Sequence, residues 1–282
     1  METYQDNSKK IAYIYIAICL AMTIFFVLYL GFIKSGPRTN VSNQPSSELA
    51  TMVATAGTEQ VLGQSLDEQL EETSLKIGFP EKNIDWAGLE SQDSDVYAWI
   101  YVPNTMMDYP IYQSVEGSDE NYYLDHNADG SEGYPGCIYS QYTKNAMDFM
   151  DSNTVLYGHN MKNGTMFAGI HDFKDQGFFD NNNYMYIYLP NGQVFTYAIF
   201  ACYSTDDSLI GYEYDFGSDI GFASYINDIK TKKSVIKNIN DGIINAIGTN
   251  SKILTLSTCF THGTSKRLLL QGVMVNQNYI GQ

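Results

Sequence analysis

Between residues 97 and 275 the sequence is broken into short runs of β-branched and aromatic residues, each closed by Gly, Asn, Asp or Pro. This punctuation constrains the fold most, because such runs suit a pleated, half-buried surface and are too short for packed helices. The runs fall at 97–102, 110–113, 137–140, 154–157, 184–189, 193–202, 252–256 and 267–275. They predict a mainly β architecture of eight strands closed as a barrel, with helices added at its margins. Asn191-Gly192 stands between two alternating runs and predicts a hairpin. From 218 to 233 the period turns helical, with Phe222, Tyr225, Ile226 and Ile229 on one side and Ser218 or Asp219 as N-cap, so one helix is inserted late among the strands. Residues 61–95 also carry helical patterning, broken at 78–80, which predicts two short helices ahead of the barrel.

Ahead of these elements the chain is of a different kind. Residues 11–33 contain no charge, and at about 1.5 Å per helical residue the run crosses a hydrocarbon layer of about 30 Å. It is longer than the h-region of a cleaved signal peptide and no AxA-like site follows it, so it is read as a membrane anchor. Residues 1–10 then form a short tail, 34–60 a polar tether and 61–282 the folded domain. Lys9 and Lys10 flank one end of the run and Lys34 and Arg38 the other, so charge alone leaves its orientation open.

The formal net charge of -16 opposes phosphate-backbone binding and excludes nucleic acid as the expected partner. Four cysteines, Cys19, Cys137, Cys202 and Cys259, are too scattered for a disulfide framework and form no CxxC pair for zinc. No metal and no cofactor is expected.

The chemistry concentrates near the C-terminus. Thr255-Leu256-Ser257-Thr258-Cys259 ends an apolar strand at a polar turn, and Arg267 opens the next strand. A free thiol titrates near 8.5, so a cysteine nucleophile needs a base or a cation beside it. Of the four histidines, His159 leaves a strand at Tyr157-Gly158, the same kind of position as Cys259. His126 lies in a polar loop and His171 in an amphipathic turn, and both are read as surface residues. His262, three residues past Cys259, is the nearer rival, but a local turn pair is geometrically less dependable than two facing strand ends. Arg267 would offer a permanent charge and a fork of donors to an oxyanion.

With Tyr157-Gly158-His159, the Thr-Leu-Ser-Thr-Cys run and the downstream arginine in this order, the chain resembles the sortases, and specifically class B. The similarity runs from about residue 85 to 275 and includes Trp99-Ile100, Tyr109-Pro110, Gly164-Thr165-Met166-Phe167 and the stretch Lys232-Lys233-Ser234-Val235-Ile236. It implies the eight-stranded sortase barrel with N-terminal helices and one inserted helix, and a catalytic domain outside the cell, single-pass, with the N-terminus inside. It implies that Cys259 attacks the carbonyl after Thr in the sorting signal of a secreted protein, forming a thioester. A peptidoglycan precursor or crossbridge amine then releases the product, with His159 moving protons and Arg267 holding the oxyanion. A groove for an NPxTN- or LPxTG-like signal is implied along Tyr157, Asp108, Ser257, Thr258, Asp207 and Tyr212. Asp108 stands where family members can carry Asn, and the acidic loop 205–214 lacks an obvious match. A pilin-polymerising sortase would use the same three residues with a pilin lysine as the amine.

Overall fold

A computed structural model of the chain describes residues 78–207, 213–260 and 265–280. The predicted tail, anchor, tether and first helical stretch lie outside the described residues, as do Tyr212 and His262. Among the described residues no helix is long and apolar enough to cross a membrane.

The strands are β1 (Val96–Tyr101), β2 (Asp108–Tyr112), β3 (Ile138–Tyr139), β4 (Asn153–Tyr157), β5 (Tyr184–Tyr188), β6 (Gln193–Asp206), β7 (Lys237–Ile239), β8 (Ile253–Cys259) and β9 (Lys266–Tyr279). Their order is β5-β1-β2-β3-β4-β8-β9-β6-β7, and a further pairing of β5 with β6 closes the first eight into a ring. The predicted mainly β barrel of eight strands is therefore present, with β7 appended outside it. Pairs β2–β3 and β4–β8 are parallel and the others antiparallel, so the sheet is mixed.

Strand β6 makes closure possible. Its ladder with β9 is interrupted at Thr196/Tyr197 and at Ile199/Ala201, and such bulges bend a strand and deepen its twist. The first half of β6 pairs with β5 and the second half with β7 on the same edge. The sequence predicts that this strand ends at 202, yet the ladder continues to Asp206 because β9 pairs with it throughout. Strands β8 and β9 likewise outrun their apolar runs, reaching Cys259 and Tyr279.

The β5–β6 hairpin forms where Asn191-Gly192 predicts it. Leu189 N–H donates to Gln193 O at 2.9 Å and Gly192 N–H to Leu189 O at 3.0 Å. Only Gly192 takes a positive φ, +84°, so the loop has three residues with glycine in the left-handed position.

Leu156, Leu254, Leu256, Leu268 and Leu270 point into the ring with Phe149, Phe167 and Phe195 and fill it. Period-two alternation sends Ile253, Leu269 and Val273 outward, where the inserted helix α3 (Asp219–Thr231) covers them. The expected apolar side of α3, Phe222, Tyr225, Ile226 and Ile229, is buried, and burying each such side chain stabilises by about 1.5–3 kcal/mol. Ser218 is its N-cap, accepting from Gly221 N–H. Ahead of the barrel, α1 (Trp86–Gln92) is the helix within 78–95, and Trp86 and Leu89 pack over Tyr112, Tyr123 and Tyr139.

Other elements depart from the sequence prediction. Residues 167–174 form a 3-10 helix that runs into α2 (Gln176–Asn181), and α4 (Asp241–Ala246) with β7 follows α3. Phe167, Ile170 and Phe173 are buried at a spacing of three, the 3-10 period and not the α period, so a search at 3.6 passes over them.

Candidate active site

Three neighbouring strands end together. The ladder pairs Cys259 on β8 with Arg267 on β9, and Arg267 with Thr205 on β6. Alternation puts Cys259 on the outer side of the sheet with Thr255 and Ser257, beyond the part that α3 covers. The thiol is half-buried, and Arg267 Nη1 lies 3.8 Å from its Sγ. Phe260 N–H donates to Lys266 O at 2.9 Å, which fixes both strands just past the thiol.

β4 supplies the second arm. Its parallel register with β8 pairs Tyr157 with Ser257, so His159 stands level with Cys259. Between them the Gly158 peptide is held on both sides: its N–H donates to Ser257 O at 3.2 Å and its carbonyl accepts from Thr258 Oγ1 at 2.8 Å. Glycine fits closely there, because a Cβ would lie 2.5 Å from Ile138 Cδ1 and 2.8 Å from Phe167 Cδ2 and would displace one of them. The His159 ring is held as well. Nε2 is 2.7 Å from Leu124 O, and since a carbonyl only accepts, Nε2 carries the hydrogen and Nδ1 is left as the basic nitrogen. The Tyr134 ring, 76% exposed, lies 4.7 Å from the imidazole.

Behind Cys259 is a contact that the sequence did not reveal. Asn160 Nδ2 lies 3.1 Å from Cys259 O and 3.0 Å from His171 Nε2, and His171 Nε2 is itself 3.1 Å from Cys259 O. With Nε2 bare, the Asn160 amide donates to both; with Nε2 protonated, the imidazole donates to the carbonyl. In either proton state Cys259 O keeps a donor. His171 is thus half-buried beside the backbone of Cys259 and not the surface residue that its amphipathic turn predicts. The period-three spacing of Phe167, Ile170 and Phe173 is the signal that would have oriented it.

The other predicted groove residues are distributed as follows. Tyr157 is half-buried against Tyr139, their ring centres 5.4 Å apart, and Ser257 and Thr258 are buried in β8. Asp207 is exposed just past β6, on the rim shared with Arg267. Asp108 lies apart, three strands round the ring from β8, with both oxygens occupied: Oδ2 pairs with Lys82 Nζ at 2.8 Å and Oδ1 accepts from Trp99 Nε1. Burial pushes the thiols of Cys137 and Cys202 up to about 12, so neither ionises near neutrality.

A mixed eight-stranded barrel carrying a cysteine and an arginine on paired strand ends, with a histidine on the next, is the arrangement of a cysteine acyltransferase. The sortase domain model matches residues 100–275, which contain all three. Sortase B of Listeria monocytogenes is 31% identical over 191 residues, 67% of this chain and 73% of that protein. The crystal structure of Clostridium perfringens sortase B is 32% identical with a TM-score of 0.56, covering 67% of this chain and 98% of its own. A class B sortase of Streptococcus pyogenes involved in pilus biogenesis is 28% identical with a TM-score of 0.56, covering 69% of this chain and all of its own. The chain belongs to the sortase family, and within it to class B, and so to the sortase transpeptidases.

Proposed function

We propose that Cys259 takes over the acyl group of a sorting signal and passes it to an amine. The thiolate attacks the carbonyl after Thr; the C–N bond breaks, a thioester forms, and His159 gives the leaving amine its proton. An amine of the peptidoglycan then attacks the thioester, loses a proton to His159 and releases the thiolate. Arg267 faces the oxygen that gains charge in both tetrahedral intermediates. The observation that carries this reading is the guanidinium held 3.8 Å from the thiol on paired strand ends, with His159 level with them. The uncharged run 11–33 would tether the domain to the outer face of the cell membrane, near both secreted substrates and wall amines.

A pilin lysine as the amine is the second reading, favoured by the likeness to the Streptococcus pyogenes structure, which is described as involved in pilus biogenesis. One experiment tests both. NPxTN- and LPxTG-type peptides are incubated with the protein, with and without a crossbridge-like peptide amine or a lysine-bearing pilin peptide, and products are identified by mass. Expected are cleavage after Thr, an amine-linked product, and loss of both in Cys259→Ala; unchanged cleavage in that variant would overturn the reading. All steps use the chain's own side chains, so a chelator is expected to leave turnover unaltered.

A further inference from the structure

The loop 159–167 joins the active-site end of β4 to the 3-10 helix, and one residue in it holds a conformation that L-residues rarely adopt. Met166 has φ +57° and ψ −131°, close to the first central position of a type II′ turn, which glycine ordinarily fills because a Cβ is crowded there. Its side chain is buried in the barrel core, and such a residue keeps a strained backbone only where its surroundings enforce it. We infer that the Tyr109 hydroxyl enforces it and thereby fixes His159, which makes Tyr109 a positioning residue for proton transfer. The inference rests on the transpeptidase reading above and extends it to a residue outside the set of Cys259, His159 and Arg267.

Two consecutive N–H groups carry the coupling. Met166 N–H donates to Tyr109 Oη at 3.0 Å, and Phe167 N–H donates to His159 O at 2.9 Å. The φ and ψ of Met166 set the angle between these two peptide planes, so a return to an ordinary φ would turn one N–H away from its acceptor. A bridge between Asn160 and Met166 closes the loop beside them. His159 needs this hold on its backbone. Its imidazole is tied at the tip, Nε2 lying 2.7 Å from Leu124 O, and with the carbonyl freed the ring would pivot about that tie and carry Nδ1 out of place.

Register explains how Tyr109 reaches this point. Tyr112, Tyr139 and Tyr157 stand level across β2, β3 and β4, and β2 runs opposite to β4. Stepping back along β2 from Tyr112 to Tyr109 therefore matches stepping forward from Tyr157 to Asn160, the residue bridged to Met166. On β2 Tyr109 shares the side of Ile111, which faces the core, and its half-buried ring packs against that core. The hydroxyl is thus delivered to Met166 by a ring that the barrel itself supports. If the hydroxyl were removed, Met166 N–H would be left without its acceptor in a buried place, and the loop would relax to find another.

The test compares the full chain with Tyr109→Phe and with the double variant Tyr109→Phe/Met166→Gly, using the sorting-signal peptide that the parent cleaves best. Tyr109→Phe is expected to lower kcat roughly tenfold with KM nearly unchanged, because the latch acts through the backbone of His159. Glycine adopts the Met166 conformation without strain, so the double variant should recover several-fold of that kcat although the loss of a buried side chain lowers its thermal midpoint. Activity and stability then move in opposite directions, which a role in packing alone would not produce. With isotope-labelled histidine, the His159 ring resonance should broaden in Tyr109→Phe and sharpen again in the double variant, while that of His126 stays unchanged. Parental kcat and an unaltered His159 resonance in Tyr109→Phe, or a double variant that loses activity further, would overturn the inference. So would an unfolded Tyr109→Phe, since the hydroxyl would then serve stability. If the folded parent cleaves no sorting-signal peptide, the transpeptidase reading fails, and the resonances, which need no substrate, still decide whether Tyr109 positions the ring.

Discussion

Cys259 is held at two points, its sulfur facing Arg267 and its carbonyl facing Asn160 and His171, so the proposed chemistry would depend on Asn160 and His171 without their touching substrate. The arginine's part is directional: a guanidinium presents two N–H groups in one plane, a lysine a single point charge. Arg267→Lys is expected to lower kcat by about a hundredfold or more with little change in KM, the loss typical of a removed oxyanion donor. The carbonyl clamp predicts a smaller loss. Asn160→Ala and His171→Ala should each lower kcat roughly tenfold and slow iodoacetamide alkylation of Cys259 in proportion. His171→Gln, which keeps a donor of similar reach, should restore both; recovery in His171→Leu instead would mean that the clamp is mere packing. Native alkylation should also spare Cys137 and Cys202, whose buried thiols stay protonated. At this scale the sequence was legible in position: Cys259, His159 and Arg267 lie at or just beyond strand termini, as their runs predict. It was opaque at Asn160 and His171, whose meeting depends on a 3-10 turn fixing one ring's direction.

Cys259, His159 and Arg267 are placed by strand ends, and those ends by contacts a few residues deeper. Gly158 is the sharpest case, since its two backbone bonds to β8 set where His159 leaves the sheet. Gly158→Ala would drive a methyl into Ile138 and Phe167, so either those side chains move or β4 does. The expected cost is about 1–3 kcal/mol of stability, read from the urea midpoint, together with a fall in kcat larger than that loss explains. Near-wild-type kcat in a destabilised variant would show that His159 is positioned independently of the β4 end. The elements were largely readable: the eight ring strands and α3 follow from period and punctuation alone. Their ends were not, because Thr205, Asp206, Thr258 and Cys259 join the sheet through pairing with β9, which residue type does not report. Asp108 shows the reverse, a position drawn toward the groove by motif likeness whose carboxylate instead ties Lys82 to Trp99.

For the molecule as a whole, the abundant tyrosines set an upper pH limit. Burial pushes the phenols of Tyr97, Tyr197, Tyr203 and Tyr225 above their ordinary value. In the unfolded chain a phenol loses its proton near pH 10, whereas in the folded chain these remain protonated at that pH. Above about pH 10 the unfolded state therefore binds fewer protons than the native state, and stability falls as pH rises. Each fully shifted group contributes about 1.4 kcal/mol per pH unit, and four acting together approach the whole stability of a typical domain within one or two units. The buried thiols of Cys137 and Cys202 act in the same direction between about pH 9 and 12. Urea midpoints should be insensitive to these groups from pH 7 to 9 and then collapse, with tyrosinate absorbance rising in the same cooperative step as near-UV circular dichroism is lost. A gradual rise in absorbance with an ordinary phenol midpoint and intact tertiary signal would show that these rings are open to solvent. The limit bears on catalysis, because an alkylamine acceptor becomes a better nucleophile as pH rises toward its own pKa near 10. Transfer to such an amine should accelerate with pH and then stop abruptly, at the pH where the barrel unfolds and below the pH where the amine is fully deprotonated.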